Sequence, residues 1–144
     1  MPGLRAAVDA AASALNAERT RLESAVSNLA NMESTRGPDG QPYRRRDVVL
    51  EAAPVDSFDA ALGRASGATG VRVAGVVEDQ TPFRRRYEPN HPDADSEGYV
   101  ALPNVEPAEE MVDMIGAARA YQANLTAIGL IRDMVQRALE LGKQ

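Results

Sequence analysis

Proline and aromatic residues are concentrated in the middle of this chain. Eight of its nine prolines lie from Pro38 to Pro107, and five of its six aromatic residues fall between Tyr43 and Tyr99. Alanine, leucine, glutamate and arginine, which are strong helix formers, dominate both flanks. We therefore predict a mainly α fold, in which long N- and C-terminal helices pair as a coiled-coil-like core with a compact β-rich domain between them. The predicted segments are an N-terminal core helix in 1–36, a β-rich outer insert in 37–106 and a C-terminal core helix in 107–144.

Apolar residues of the first flank recur at steps of three and four, which is the pattern of a helix that packs against another helix. Leu15, Leu22 and Leu29 are one heptad apart, as in a coiled-coil seam. The whole pattern comprises Leu4, Val8, Ala11, Leu15, Leu22, Val26, Leu29 and Met32. It predicts a helix over 4–32, ended by the turn-forming sequence 37–40 (GPDG).

The last flank has the same periodicity and clear helix boundaries. Its apolar positions are Met111, Met114, Ala118, Tyr121, Leu125, Ile128, Ile131, Val135 and Leu139. Pro107 suits a first helical position, Glu109 and Glu110 complement the positive helix end, and Gly142 suits the C-terminal end. A helix over 107–141 would be about 50 Å long. Each terminal helix therefore needs a partner along most of its length.

The middle segment has the composition of short strands separated by turns. The ranges 47–52 and 70–78 carry β-branched residues that partly alternate with polar ones. We also predict shorter strands over 83–87 and 98–102, and a helical turn over 57–62.

Composition limits the classes of function. Aromatic residues make up 4% of the 144 residues, so the chain has little bulk to bury and its core is expected to need partners. A formal net charge of -5 argues against general nucleic-acid binding, and the absence of cysteine excludes disulfides and thiolate chemistry. The sequence contains neither a glycine-rich phosphate loop after a strand nor an arguable catalytic triad. We expect no enzyme activity and no cofactor.

The N-terminal residues lack the basic stretch and apolar run of a cleavable secretory signal. No apolar run approaches the 18 or so residues of a membrane-spanning helix. Unless another export route exists, these features predict a cytoplasmic protein.

The acidic loop around the only histidine, His91, allows two interpretations. Residues 93–98 (DADSEG) match the start of a calcium-binding loop, with acids at positions one, three and five and glycine at six. The twelfth position, however, is Asn104 rather than a bidentate glutamate. A solvated, turn-forming loop is the favoured interpretation, and no metal site is assigned.

Two similar tracts, 42–46 (PYRRR) and 82–86 (PFRRR), combine an aromatic residue with three arginines. They could form a nucleic-acid surface, in which bases stack on the aromatic rings. The acidic net charge favours the alternative, in which the arginines pair with acids of this or a neighbouring subunit.

Several amides lie beside the apolar positions of the two flanks: Asn16, Asn28, Asn31, Gln122 and Asn124. They are either exposed at the helix borders or buried between helices. In the second case, unmatched amides would disfavour incorrect registers.

Larger blocks of sequence resemble a known family. Residues 15–22 (LNAERTRL) and 27–31 (SNLAN) are similar to the N-terminal helix of flagellar axial proteins, and 42–45 (PYRR) is similar to the strand that follows it in rod subunits. The more specific blocks are 82–100 (PFRRRYEPNHPDADSEGYV), 103–111 (PNVEPAEEM) and 118–124 (ARAYQAN). They resemble the C-type family of flagellar basal-body rod proteins, which belong to the proximal rod.

The resemblance implies a structural subunit that polymerises through its terminal helices, with the insert outside. It implies export through the flagellar type III apparatus without a cleaved signal and a position in the periplasmic rod. The implied partners are copies of itself, other rod proteins, the inner-membrane ring and the export gate. The predicted assembly residues are Leu15, Leu22, Asn28, Leu29, Asn31, Met111, Met114, Ala118, Tyr121, Asn124, Leu125, Ile128 and Val135. The alternatives are an intracellular coiled-coil adaptor and a calcium-loop or nucleic-acid-binding module.

Overall fold

The computed structural model describes residues 2–54 and 69–142. Two long helices flank a β-containing middle region: α1 spans Pro2–Ala30 and α2 spans Pro107–Leu141. The predicted fold class is therefore confirmed. The bounds of α2 are those expected from Pro107 and Gly142, and no helix in the described ranges is both long and apolar enough to cross a membrane.

Helix α1 ends before the predicted turn. The Asn31 amide nitrogen donates to the Ser27 carbonyl over 2.8 Å, and the Ser34 hydroxyl donates to the Asn31 carbonyl over 3.0 Å. Beyond Ala30 the backbone bonds shorten, since the N–H groups of Met32 and Ser34 donate three residues back, to the Leu29 and Asn31 carbonyls. The GPDG sequence forms a separate turn, in which Gly40 has a φ of 79°. The helix predicted over 4–32 therefore ends two residues earlier than expected, in a tightened turn that precedes the GPDG sequence.

Four strands form two small sheets. Strand β1 (Arg46–Pro54) pairs with β2 (Thr69–Glu78), and β3 (Arg84–Tyr87) pairs antiparallel with β4 (Tyr99–Leu102). In the second sheet Arg84 lies opposite Leu102, and Tyr87 lies opposite Tyr99. All four predicted strands are confirmed, with small shifts at their ends. The helical turn predicted over 57–62 lies outside the described residues.

The chain divides into two compact units, each of which contains part of both helices. One comprises 1–20, 50–74 and 116–144, and the other comprises 21–49 and 75–115. Small side chains are buried in the first unit, where Ala6, Ala17 and Ala117 are at most 2% exposed. Such residues remove little apolar area from water.

The second unit has the more conventional core. Val100 and Leu102 are buried on β4, whereas Tyr99, the first residue of the strand, is exposed, in keeping with the two-residue period of a strand. Val105 is fully buried just before α2 begins. The core of the second unit therefore includes β4 and the segment that leads into α2.

Candidate assembly interface

One face of α2 is covered by the rest of the chain. Ala120 and Ala127 are half-buried at its border. The main row of buried and half-buried residues is spaced alternately four and three apart, as on the inner face of a packed helix. They are Glu110, Met114, Ala117, Tyr121, Asn124, Ile128, Ile131 and Val135. Five of the predicted assembly residues on α2 belong to this covered row: Met114, Tyr121, Asn124, Ile128 and Val135.

The rest of the α2 surface is also rich in apolar side chains, and these are open to solvent. Exposed positions are Met111, Val112, Ile115, Leu125, Leu130, Met134, Leu139 and Leu141, with exposed fractions from 42% to 73%. At about 100° per residue, Met111, Ile115 and Leu125 lie on one side of the helix and Leu130 and Met134 on another. A helix that is apolar on several sides is normally buried, and the described residues leave these sides of α2 uncovered.

The predicted residues of α1 are more enclosed. Leu15, Leu22, Leu29 and Asn31 are half-buried, while Val26 beside them is 52% exposed. On α2, Ala118 lies with the exposed residues. The assembly role of these side chains stays a prediction.

Asn28, another of the predicted assembly residues, is buried within the single chain. It is 1% exposed. Its amide nitrogen donates to the Arg46 carbonyl over 2.8 Å and to Glu110 Oε2 over 3.0 Å. Its amide oxygen accepts from the Arg46 N–H and from the Tyr43 hydroxyl, both over 2.9 Å. Asn28 therefore joins α1, the chain before β1 and the first turn of α2.

Glu110 is the second buried polar residue of this cluster. Its carboxylate is 2% exposed and accepts from Arg45 Nε over 2.5 Å. Burial lowers the pKa of Arg45, but the hydrogen bond and charge of Glu110, helped by Asp47 and Asp113, outweigh burial and raise it. Arg45 is therefore charged at all ordinary pH values. We call Asn28, Tyr43, Arg45 and Glu110 the polar anchor. Its connectivity was not predicted from the sequence.

The other arginines of the two tracts also bind groups of the same chain. Arg44 stacks over the Phe83 ring at 4.4 Å, Arg46 approaches Glu78 at 3.7 Å, Arg84 donates to the Pro103 carbonyl over 3.0 Å, Arg85 pairs with Asp95 at 2.6 Å, and Arg86 pairs with Glu88 at 2.8 Å. Of the two predicted settings for these arginines, pairing within the chain is the one observed. These contacts link the strands and turns of the β-containing region.

The acidic loop is held by protein donors. Asp93 pairs with Arg36 at 2.6 Å and accepts from the Thr35 hydroxyl. Asp95 accepts from the N–H groups of Glu97 and Tyr99, both over 2.9 Å. In the described part of the chain, no group of three metal-ligating side chains is placed to hold an ion. This arrangement is that of a turn-forming loop.

The pKa of Asp95 is lowered, principally by the backbone hydrogen bond from Tyr99, against the opposing effect of burial, with Arg85 adding to the shift. A carboxyl group whose pKa is lowered by folding stabilises the protein at pH values above its unfolded-state pKa of about 3.9. This stabilisation is lost as the pH falls. We expect Asp95→Asn to lower the melting temperature at pH 7. Between about pH 5 and pH 2, the melting temperature of this variant should fall less than that of the unchanged chain. Melting curves over that range provide the test, with Glu109→Gln as the exposed control; parallel curves for Asp95→Asn and the unchanged chain would contradict it.

Curated relatives match almost the whole chain. It is 47% identical over 135 residues to the flagellar basal-body rod protein FlgC of Salmonella typhimurium, covering 94% of this chain and 95% of the relative. The FlgC protein of Bacillus subtilis is 42% identical, and the match covers 94% of this chain and 96% of that relative. The FlgC protein of Borreliella burgdorferi is 39% identical, and the match covers 96% of this chain and 97% of that relative. This chain belongs to the FlgC family of flagellar basal-body rod proteins.

A family model agrees with this membership. The model of the C-terminal region of the flagellar basal-body rod FlgEFG proteins matches residues 96–141. The match begins in the acidic loop, includes β4 and runs to the end of α2. In a FlgC-family chain, the exposed apolar sides of α2 are thus part of the region shared with other rod proteins.

Proposed function

We propose that this chain is a structural subunit of the bacterial flagellar basal-body rod. It assembles helically through its terminal helices and forms part of the periplasmic drive shaft and of the channel inside it. The observation that supports this proposal is the apolar surface of α2, which extends over several sides of a helix that the chain covers on one face only. Burial of such surface between subunits supplies about 25 cal/mol per Å², without any need for catalysis.

The finer assignment follows the sequence blocks shared with the C-type family. The subunit belongs to the proximal rod and binds copies of itself and other rod proteins. It also meets the inner-membrane ring and the type III export gate, through which it leaves the cell without a cleaved signal. In the assembled rod, 1–36 and 107–144 form the inner layer and 37–106 the outer one.

Complementation tests the proposal. A flagellated bacterium that lacks its own C-type rod protein should regain motility when it expresses this chain. Isolated basal bodies should then contain the chain with its N-terminal residues intact. A chain that stays in the cytoplasm of such cells, with no effect on motility, would contradict the proposal.

A single charge on the exposed apolar surface should block assembly. Leu125 is 42% exposed, so Leu125→Asp should change the free energy of unfolding of the monomer by no more than about 1 kcal/mol. In the rod the same carboxylate would be buried without a partner, which costs several kcal/mol. We expect a folded, exported and non-motile variant.

Gln80→Asp is the matched control, because it adds the same charge at an exposed turn between β2 and β3. This control should remain motile. Swimming assays and the rod content of isolated basal bodies measure both variants, and full motility with Leu125→Asp would show that this side of α2 is not buried in the rod.

A further inference from the structure

Two tight turns follow each other in the loop between β3 and β4, and His91 belongs to both. Its N–H donates to the Glu88 carbonyl over 3.0 Å, and its carbonyl accepts from the Ala94 N–H over 3.0 Å. Pro89 and Pro92 occupy the second position of these turns, which suits proline because its φ is fixed at about −65°. No residue other than glycine has a positive φ in the described ranges, which excludes turns of type II and favours type I.

The side chain of His91 closes the second turn. Its ring atom Nδ1 accepts from the Asp93 N–H over 3.1 Å. The first position of a type I turn is usually aspartate, asparagine or serine, whose side-chain oxygen can accept from the N–H two residues further on. Here the ring nitrogen of His91 does the same. Only a nitrogen without a proton can accept, so this bond requires a neutral ring with its proton on Nε2.

The second turn is also attached to the segment that follows α1. The Asp93 carboxylate accepts from the Thr35 hydroxyl over 2.8 Å and pairs with Arg36 at 2.6 Å. Asp93 therefore bonds to His91 through its N–H and to Thr35 and Arg36 through its carboxylate. A change in the turn can thus reach Thr35, which lies 58 positions earlier in the sequence than Asp93.

We propose that His91 makes this turn sensitive to pH, and that proton uptake by its ring loosens the attachment to the segment after α1. A second proton converts Nδ1 from an acceptor into a donor, which then faces the Asp93 N–H, so the hydrogen bond is lost. Asparagine at this position would keep its acceptor at every ordinary pH. Histidine is the residue type whose charge ordinarily changes between about pH 5 and pH 8. The inference concerns the single chain and goes beyond the proposed rod function.

The ring is accessible to protons from solvent. His91 is half-buried and lines a surface pocket of about 490 Å³ together with Tyr87, Asn90 and the two prolines. The phenol of Tyr87 is the titratable group that β3 contributes to this pocket. Glu88 also lines the pocket, and it pairs with Arg86 at 2.8 Å. The Glu88 carboxylate thus has a cationic partner of its own.

The acidic side chains that follow His91 in the loop are paired as well. Asp93 pairs with Arg36, and Asp95 pairs with Arg85 at 2.6 Å. A proton on His91 therefore adds a positive charge beside carboxylates that already have arginine partners. The contact that this proton removes is the hydrogen bond between Nδ1 and the Asp93 N–H.

Nuclear magnetic resonance of the full chain tests the proposal directly, because His91 is the only histidine and its ring signals are unambiguous. Between pH 8 and pH 5.5, the ring signals and the amide signals of Asp93, Thr35 and Arg36 should titrate with one shared midpoint. The protection factor of the Asp93 amide, which is corrected for the effect of pH on exchange itself, should fall about fivefold as the ring becomes charged, as expected for the loss of one ordinary hydrogen bond. Long-range spectra of the ring nitrogens at pH 8 should show the proton on Nε2.

Three variants separate the steps. His91→Asn keeps an acceptor at the first turn position, so the Asp93 amide should stay protected and independent of pH over this range. This variant also retains the α-amino group, the other group that commonly titrates here. His91→Ala removes the acceptor and should give the lower protection factor at every pH. With Asp93→Ala, the amide at position 93 should still follow the titration of the ring, whereas Thr35 and Arg36 should not.

Three results would overturn the proposal. A proton on Nδ1 at pH 8 would mean that the ring donates rather than accepts. An Asp93 protection factor that stays constant while the ring titrates would show that the bond does not depend on the charge of His91. Signals of Thr35 and Arg36 that do not follow the midpoint of the ring would show that the turn and the segment after α1 are not coupled.

Discussion

Replacement of Glu110 by alanine is expected to lower the free energy of unfolding by about 3–5 kcal/mol, the usual cost of removing one partner from a buried ion pair. Glu110 is 2% exposed, and its partner Arg45 is 18% exposed at the side chain. The variant leaves the guanidinium partly desolvated and also leaves one N–H of Asn28 without its acceptor. Urea unfolding followed by circular dichroism measures the change.

Glu109→Ala is the matched control for this prediction. Glu109 is the preceding residue of the same helix, but it is exposed, so its removal should change the free energy of unfolding by about 0.5 kcal/mol or less. Arg45→Met combined with Glu110→Leu should recover the part of the loss that is due to the unpaired guanidinium, because apolar pairs of similar volume replace buried ion pairs well, while the Asn28 N–H stays without its acceptor. A loss below about 1 kcal/mol for Glu110→Ala would show that the anchor does not stabilise the fold as its burial indicates.

Local signals explain why both helices could be predicted. Pro107 and Gly142 mark the ends of α2 through backbone properties of the residues themselves, and the bounds predicted from them agree with the structure. The end of α1 was predicted too late. The backbone bonds tighten to a three-residue spacing at Met32 and Ser34, two residues before the expected end of the pattern, and apolar periodicity does not reveal such a change.

The polar anchor shows where sequence reasoning stops. We interpreted Glu110 as a complement to the positive helix end, yet it is a buried partner of Arg45 and Asn28, the latter 82 positions away. Periodicity cannot specify which distant polar groups meet. One signal was present nonetheless: Glu110 lies four residues before Met114 and thus in the covered row of α2. A carboxylate in such a row requires a buried partner.

The second large effect is expected for Asn28→Asp, which preserves the shape of the side chain and removes its two N–H donors. The new carboxylate oxygen would face the Arg46 carbonyl and Glu110 Oε2, at positions where the amide now donates over 2.8 and 3.0 Å. An unmatched acceptor and a like charge at this burial should lower the free energy of unfolding at pH 7 by at least about 3 kcal/mol. Chemical unfolding at several pH values measures it.

The pH dependence of this variant identifies the cause. When two carboxylates are adjacent, the folded-state pKa of one of them is raised, so the folded form binds protons more readily than the unfolded form. The loss in free energy of unfolding relative to the unchanged chain therefore grows as the pH rises. The deficit of Asn28→Asp should therefore be smaller at pH 5 than at pH 8, because a protonated carboxyl donates a hydrogen bond again. Asn16→Asp, the same change at an exposed position of α1, should alter stability by about 0.5 kcal/mol or less at either pH. A deficit that is the same at both pH values would mean that lost packing, rather than charge beside Glu110, destabilises the variant.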